Sequence, residues 1–345
     1  MTSPQPKESP TMQLTLHTQF PAELQQEWDA LLKQSITPVP FLSFDFQRRW
    51  WETRGGGEWN DAELHLLTAS RNGSLTGVAP LFKTSRDGNP HLMLVGSHEV
   101  FDYLDFITRP GDLPEFLEAV LQYIQESEPD VKTFDLYNLI EHSPSLPAIE
   151  QAGVKLGWKV DVQQIQPCPY IPMDGDWETY LAGIDKKQRH EIRRKLRRFE
   201  ELDGTRWYIV EDPGQLHTEM DAFLKMMDQD NEKHVFLTPA MHTFMHDVAQ
   251  AAMEAGVLQL SFLEIEGEKA AGKFILHHDG KLLAYNSAVE TRFRENSPGW
   301  VLLGYLLQWS AQNGIHEFDF MRGNEEYKYR FGAKDRFVMR ATLTR

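Results

Sequence analysis

Apolar residues recur along this chain with two periods, every second position in some stretches and every third or fourth in others, and the changes of period mark out its elements. Residues 63–70, 75–84 and 91–95 alternate as strands do, and Asn72-Gly73 and Asp87-Gly88 lie between them. Such dipeptides suit the left-handed backbone of tight hairpin turns. A strand is expected from residue 13, helices at 22–32, 41–51, 113–126 and 143–153, and strands at 131–136 and from 157 onward. The second half predicts helices at 177–202, 214–229 and 239–255, then strands at 258–265, 270–277 and 281–289. A helix at 300–312 follows, opened by Ser297-Pro298-Gly299, where Ser suits the N-cap and Pro the first turn. Gly314 ends it, and 316–320 reads as the next strand. Gly55-Gly56-Gly57 reads as a flexible loop, since no strand precedes it and no Lys-Ser/Thr follows.

Part of this pattern occurs twice. The strand–turn–strand around Gly73 returns around Gly267, Leu121-Gln122-Tyr123 is echoed by Leu307-Gln308-Trp309, and Phe134-Asp135-Leu136 by Phe318-Asp319-Phe320. The order is kept and the offset nearly constant, which points to an old duplication of a mixed α/β unit. Two such units can share a cleft, a common place for small-molecule sites. The expected organisation is a loose polar tail at 1–12, one unit at 13–165, a proline-containing linker at 166–176 and a second unit at 177–345.

With 345 residues and 41% hydrophobic content, the chain has ample material for two cores. No apolar stretch reaches membrane-spanning length and none resembles a signal sequence, so the expected location is cytoplasmic. Cys168 is alone and flanked by prolines, a structural position more than a nucleophilic one. A net charge of −16 speaks against general nucleic-acid binding. The charge is uneven, however: 186–198 holds eight Lys or Arg and one acid. On a helix Lys186, Arg189, Arg193 and Arg197 share a face, opposite an apolar stripe of Ile192, Leu196 and Phe199. That face reads equally as a structural seam or as a site for an anionic ligand.

Two other places carry candidate chemistry. The start of the helix after Ser297 offers unpaired N–H groups and a positive dipole end to an anion, less the donor that Pro298 removes. The segment 318–332 crowds charge directly after an apolar strand: Asp319, Glu325 or Glu326 could act as base and Arg322 and Lys328 as electrostatic stabilisers, or the whole could be a salt-bridged loop. No metal site is expected: His242 and His246 are four apart, with no intervening acid and no evident further ligand.

Together, residues 186–198, Ser297-Pro298-Gly299 and 318–328, with Asp102-Tyr103-Leu104-Asp105-Phe106 in the first half, resemble the CelD-like acyltransferases of the GNAT superfamily, relatives of the FemAB peptidyltransferases. The resemblance implies two tandem GNAT-like domains and transfer of an acyl group, commonly from acyl-CoA such as acetyl-CoA, to an amine. It implies that Tyr327, Lys328 and the Gly323 turn line the acyl-transfer cleft and that Ser297 and Gly299, with Arg294, form the donor site; Asp319 is the expected base, with Arg322 and Lys328 balancing charge on the carbonyl oxygen. Lys186, Arg189, Arg193, Asp102, Tyr103 and Asp105 would bind substrate. The usual Gln/Arg-x-x-Gly-x-Gly/Ala loop of that superfamily is replaced here by 294–299, a departure that bears on acetyl-CoA as donor and not on the fold. The expected acceptor is an amine of a polysaccharide, lipid or envelope precursor. In the FemAB relatives the donor is aminoacyl-tRNA, a partner the acidic remainder of this chain disfavours. A binding module that has kept the fold without the chemistry is the remaining alternative.

Overall fold

The computed structural model describes residues 12–345, so residues 1–11 of the expected tail lie outside the described residues. In chain order the elements are β1 (Gln13–His17), α1 (Gln25–Leu32), α2 (Phe44–Glu52), α3 (Arg54–Gly57), β2 (Glu63–Leu64), β3 (Leu66–Arg71), β4 (Ser74–Ala79), β5 (Leu81–Arg86), β6 (Asn89–Leu94), β7 (Ile107–Thr108), α4 (Leu113–Ser127), β8 (Thr133–Ile140), α5 (Ser145–Lys155) and β9 (Lys159–Pro167). There follow β10 (Tyr170–Pro172), α6 (Trp177–Gly183), α7 (Lys186–Glu200), β11 (Arg206–Ile209), α8 (Leu216–Met227), α9 (Asn231–Phe236), α10 (Pro239–Glu254), β12 (Leu258–Ile265), β13 (Glu268–His278), β14 (Lys281–Val289), α11 (Pro298–Gln312), β15 (Glu317–Asp319), α12 (Glu326–Arg330) and β16 (Phe337–Thr344). They form two compact units. The first runs to Trp51 and adds Trp59–Ile165 and Met339–Arg345; the second takes Glu52–Glu58 and Gln166–Val338.

In the first unit the strands make two sheets, β1-β3-β4-β7 and β2-β5-β6-β8-β16-β9. Its core is aromatic: Trp28, Phe41, Phe44, Phe46, Trp50, Phe82, Phe101 and Phe106 are all buried. The expected single strand at 75–84 is two strands in two sheets. Pro80 has no N–H to offer a ladder, so β4 ends before it and β5 starts after it.

The second unit is built on one sheet, β10-β15-β14-β13-β12-β11. The expected helix at 177–202 is broken into α6 and α7, because Asp185 starts a new helix by accepting hydrogen bonds from the N–H groups of Lys187 and Gln188. Residues 166–176, read as linker, contain β10, which pairs antiparallel with β15. Cys168 is buried. Gly55-Gly56-Gly57 forms a packed left-handed turn in place of the expected flexible loop. All three have positive φ, and a Cβ on Gly56 would sit 2.3 Å from the Met241 side chain on α10.

The duplication survives in detail. Asn72-Gly73 and Glu266-Gly267 both turn through positive φ, as do Asp87-Gly88 and Asp279-Gly280. The β3–β4 ladder slips at Ala69/Ser70 and the β12–β13 ladder at Leu263/Glu264, 194 residues on. Each unit then runs through a helix, α4 or α11, into a parallel strand, β8 beside β6 or β15 beside β14. At the position of Pro80 the second unit has Phe274, which keeps β13 whole; the ladder only shifts register there.

Candidate functional site

The sheet of the second unit opens where β14 and β15 part. They pair only at Lys281–Leu283 opposite Glu317–Asp319. β15 ends there, whereas β14 continues to Val289 against β13 alone. A cavity of about 350 Å³ fills the gap. Gly272 and Lys273 of β13, Ser287, Ala288 and Val289 of β14, and Met226 and Met227 at the end of α8 form part of its wall. Asp230 and Lys233 at the start of α9, Thr291, Arg294, Gly299 and Trp300 around the start of α11, and Glu325 and Tyr327 after β15 close it.

Ser287 is the hub of its polar groups. Lys273 Nζ donates to Ser287 Oγ at 3.3 Å and Lys233 Nζ donates to the Ser287 carbonyl at 2.5 Å, while Tyr327 lines the same cavity. Lys273 is 4% exposed. Burial first, then the charges of Lys233 and Lys328, push its pKa down to about 7. Burial likewise lowers Lys233, against the opposing charges of Asp230 and Glu325. The Tyr327 phenol is pushed far above its ordinary value, again chiefly by burial. Near neutrality the cavity therefore offers an amine able to take a proton and a phenol that holds one.

Of the residues expected at the site, Arg294, Gly299 and Tyr327 line the cavity. Ser297 lies beside it with a left-handed backbone (φ 52°), and its side chain makes no capping bond. Its Oγ accepts from Lys195 Nζ at 3.1 Å, and that ammonium sits 4.4 Å from the centre of the Trp300 ring.

Asp319 and Lys328 are placed otherwise than their expected roles require. Asp319 is 1% exposed, takes an Arg336 N–H at 2.8 Å and the Met321 N–H at 2.8 Å, and does not line the cavity. Its counterpart in the first unit, Asp135, is equally buried and holds Arg340 through two bonds of 2.7 and 2.8 Å. The same buried aspartate–arginine pair in both units is an architectural feature. Lys328 Nζ donates to the carbonyls of Phe320, Arg322 and Gly323 and meets Glu325 at 2.9 Å. Its ammonium is saturated and staples the 320–325 loop. Arg322 sits on that loop, outside the cavity lining.

The basic helix α7 buries Ile192, Leu196 and Phe199, and Leu196 packs on Gly304 of α11. Arg189 donates to the carbonyls of Leu181 and Ala182 at the end of α6, Arg193 pairs with Glu178, and Arg194 with Glu191; Lys186 is exposed. None of these four lines the cavity. In the first unit Asp102 and Tyr103 are buried, and Asp105 is fully enclosed. The Asp105 carboxylate accepts from Thr37 (2.7 Å), Ser143 (2.5 Å), Ser145 (2.5 Å) and the Phe106 N–H (2.8 Å), which makes it a knot within that unit.

Sequence reading missed Lys273, Lys233 and Ser287. A signal for the first was present: Lys273 interrupts the apolar run Ala270-Ala271-Gly272-Lys273-Phe274-Ile275-Leu276, and a cation inside a central strand needs a reason.

Residues 186–329 match the acetyltransferase (GNAT) domain family. The described chain is similar in fold to FemX (TM-score 0.64, 14% identity, 92% of this chain and 95% of that one). It is also similar to a conserved protein of unknown function from Bacteroides thetaiotaomicron (0.59, 12%, 96% and 100%) and to L-PGS from Bacillus licheniformis (0.56, 12%, 94% and 92%). At these identities the likeness is one of fold. No curated protein matches the chain. Among the described residues no helix is long and apolar enough to cross a membrane.

Proposed function

We propose, from the match of residues 186–329 to the acetyltransferase (GNAT) domain family, that the chain transfers an acyl group to an amine in the cavity of the second unit. One observation supports this above all: buried Lys273, bonded across the β13–β14 ladder to Ser287, and Tyr327 line one cavity. An amine attacking an acyl carbonyl forms the C–N bond and must shed a proton. The bond from the carbonyl carbon to the leaving sulfur or oxygen then breaks, and that atom must gain one. Lys273, with its pKa lowered to about 7, accepts the first proton, and Tyr327 on the same cavity wall donates the second. This assigns the base to Lys273 rather than to Asp319, whose carboxylate is committed to Arg336.

The donor in this reading is acyl-CoA. Arg294 and Lys233 supply positive charge on the cavity wall, and Gly299 brings the first turn of α11 to it. The acceptor is an amine of a saccharide, lipid or envelope precursor. Titration of the whole chain with acetyl-CoA, longer acyl-CoAs and free CoA tests the donor: saturable binding that weakens in Arg294→Ala supports it, and no binding of any removes the CoA version.

A second donor, aminoacyl-tRNA, is favoured by one feature. Lys187 and His190 of α7 line an open depression with the ion pairs Arg194–Glu191 and Arg330–Glu326, and Arg197 and Arg198 stand exposed further along the helix. Binding of aminoacyl-tRNA that falls steeply with added salt, with no CoA binding, would select this reading.

A further inference from the structure

Outside the cavity, α8 and α10 pack side by side in the second unit and bring together three groups suited to a metal. His217 and Asp221 lie one turn apart on α8, and His246 faces them from α10. His217 Nδ1 is 3.2 Å from one Asp221 oxygen, His246 Nε2 is 3.1 Å from the other, and the three ligand atoms all lie within 4.8 Å of one another. The imidazoles are stacked, with centroids 4.5 Å apart and planes 25° from parallel.

We propose that His217, Asp221 and His246 form a divalent transition-metal site, zinc by preference, that clasps α8 to α10. Two imidazole nitrogens and a carboxylate are the donor set that zinc takes, and ligand atoms about 3.3 Å apart are what bonds of about 2.0–2.1 Å at tetrahedral angles require. The 3.1 and 3.2 Å spacings run to the two different Asp221 oxygens, and all three ligand atoms lie within 4.8 Å, so small side-chain rotations bring them to that spacing. His217 and Asp221 are exposed, which leaves an entry path and room for water to complete the coordination. A search of single helices misses this site because its ligands come from two. The consequence reaches the cavity, since α8 ends in Met226 and Met227 on the cavity wall.

The test is zinc titration of the chelator-stripped full chain by calorimetry, beside His246→Gln and the double variant His217→Gln/Asp221→Asn, with circular dichroism confirming that each folds. The expected result is one zinc per chain at a Kd on the order of 1 µM or tighter. Each variant should weaken it at least about tenfold, and zinc should raise the melting temperature of the wild type alone. Failure of the wild type to bind zinc, or equal affinity in the variants, overturns the proposal. None of the three residues lines the cavity, so this outcome is independent of whether acyl transfer occurs.

Discussion

Lys273 carries the most information of any single residue here, because its environment opposes its charge. Its pKa is lowered to about 7 from 10.5, so below pH 7 the folded state bears the full cost of a buried ammonium. Between pH 7 and 10.5 the unfolded chain binds more protons than the folded one, and stability rises with pH through that window. Lys273→Met should therefore stabilise the protein at about pH 6, by on the order of 1–3 kcal/mol. The gain should fade by about pH 10; denaturant unfolding at the two pH values checks both. Lys328 should behave oppositely. Removing its ammonium strands three carbonyls and Glu325, so Lys328→Met should cost roughly 2–4 kcal/mol by the same measurement. The sequence singled out the Tyr327-Lys328 pair, but not which of the two lines the cavity. Burial and partners decide that, and neither is local in sequence.

At the scale of elements, the cavity arises from a sheet that fails to close. β14 outruns β15, and the loop after β15, stapled by Lys328, supplies Glu325 and Tyr327 to the gap. Gly323 holds that loop at φ 114°, where a Cβ would lie 2.5 Å from the Glu325 carboxylate. Gly323→Ala should cost about 1–3 kcal/mol of stability and a larger share of transfer activity, measured as kcat/KM beside the melting temperature. Most elements could be read from periodicity: α10, α11 and the hairpin strands of the second unit lie close to their expected bounds. The errors have physical causes. Pro80 cuts a strand whose apolar pattern is continuous, and Asp185 starts a helix within a stretch that reads as one helix. β16 was not foreseen, although it lies between β8 and β9 in the first unit's sheet; partners that far apart in sequence leave no local trace.

Across the whole molecule, one ancestral unit is present twice and carries the polar cluster once. At the offset of the hairpin repeat, Lys273 corresponds to Ala79, and at the offset of the Asp-Gly turns Ser287 corresponds to Val95; both are fully buried. Tyr327 corresponds to Ser143, which is bound to Asp105. Where the second unit has a polar cavity, the first has apolar packing and a hydrogen-bonded knot. Asp105→Ala should accordingly destabilise the protein by roughly 2–4 kcal/mol, since three hydroxyls lose their acceptor. Donor affinity of the folded fraction, read by calorimetry, should stay unchanged.

The most direct test of the assignment of chemistry to Lys273 is the release of free thiol from acyl-CoA in the presence of an amine, followed from about pH 6 to about pH 9 in the wild type and in Lys273→Met. The account predicts a wild-type rate that climbs through about pH 7 and a variant slowed by about 10²–10⁴-fold with that rise gone. A variant as fast as the wild type, with the same pH profile, would contradict it.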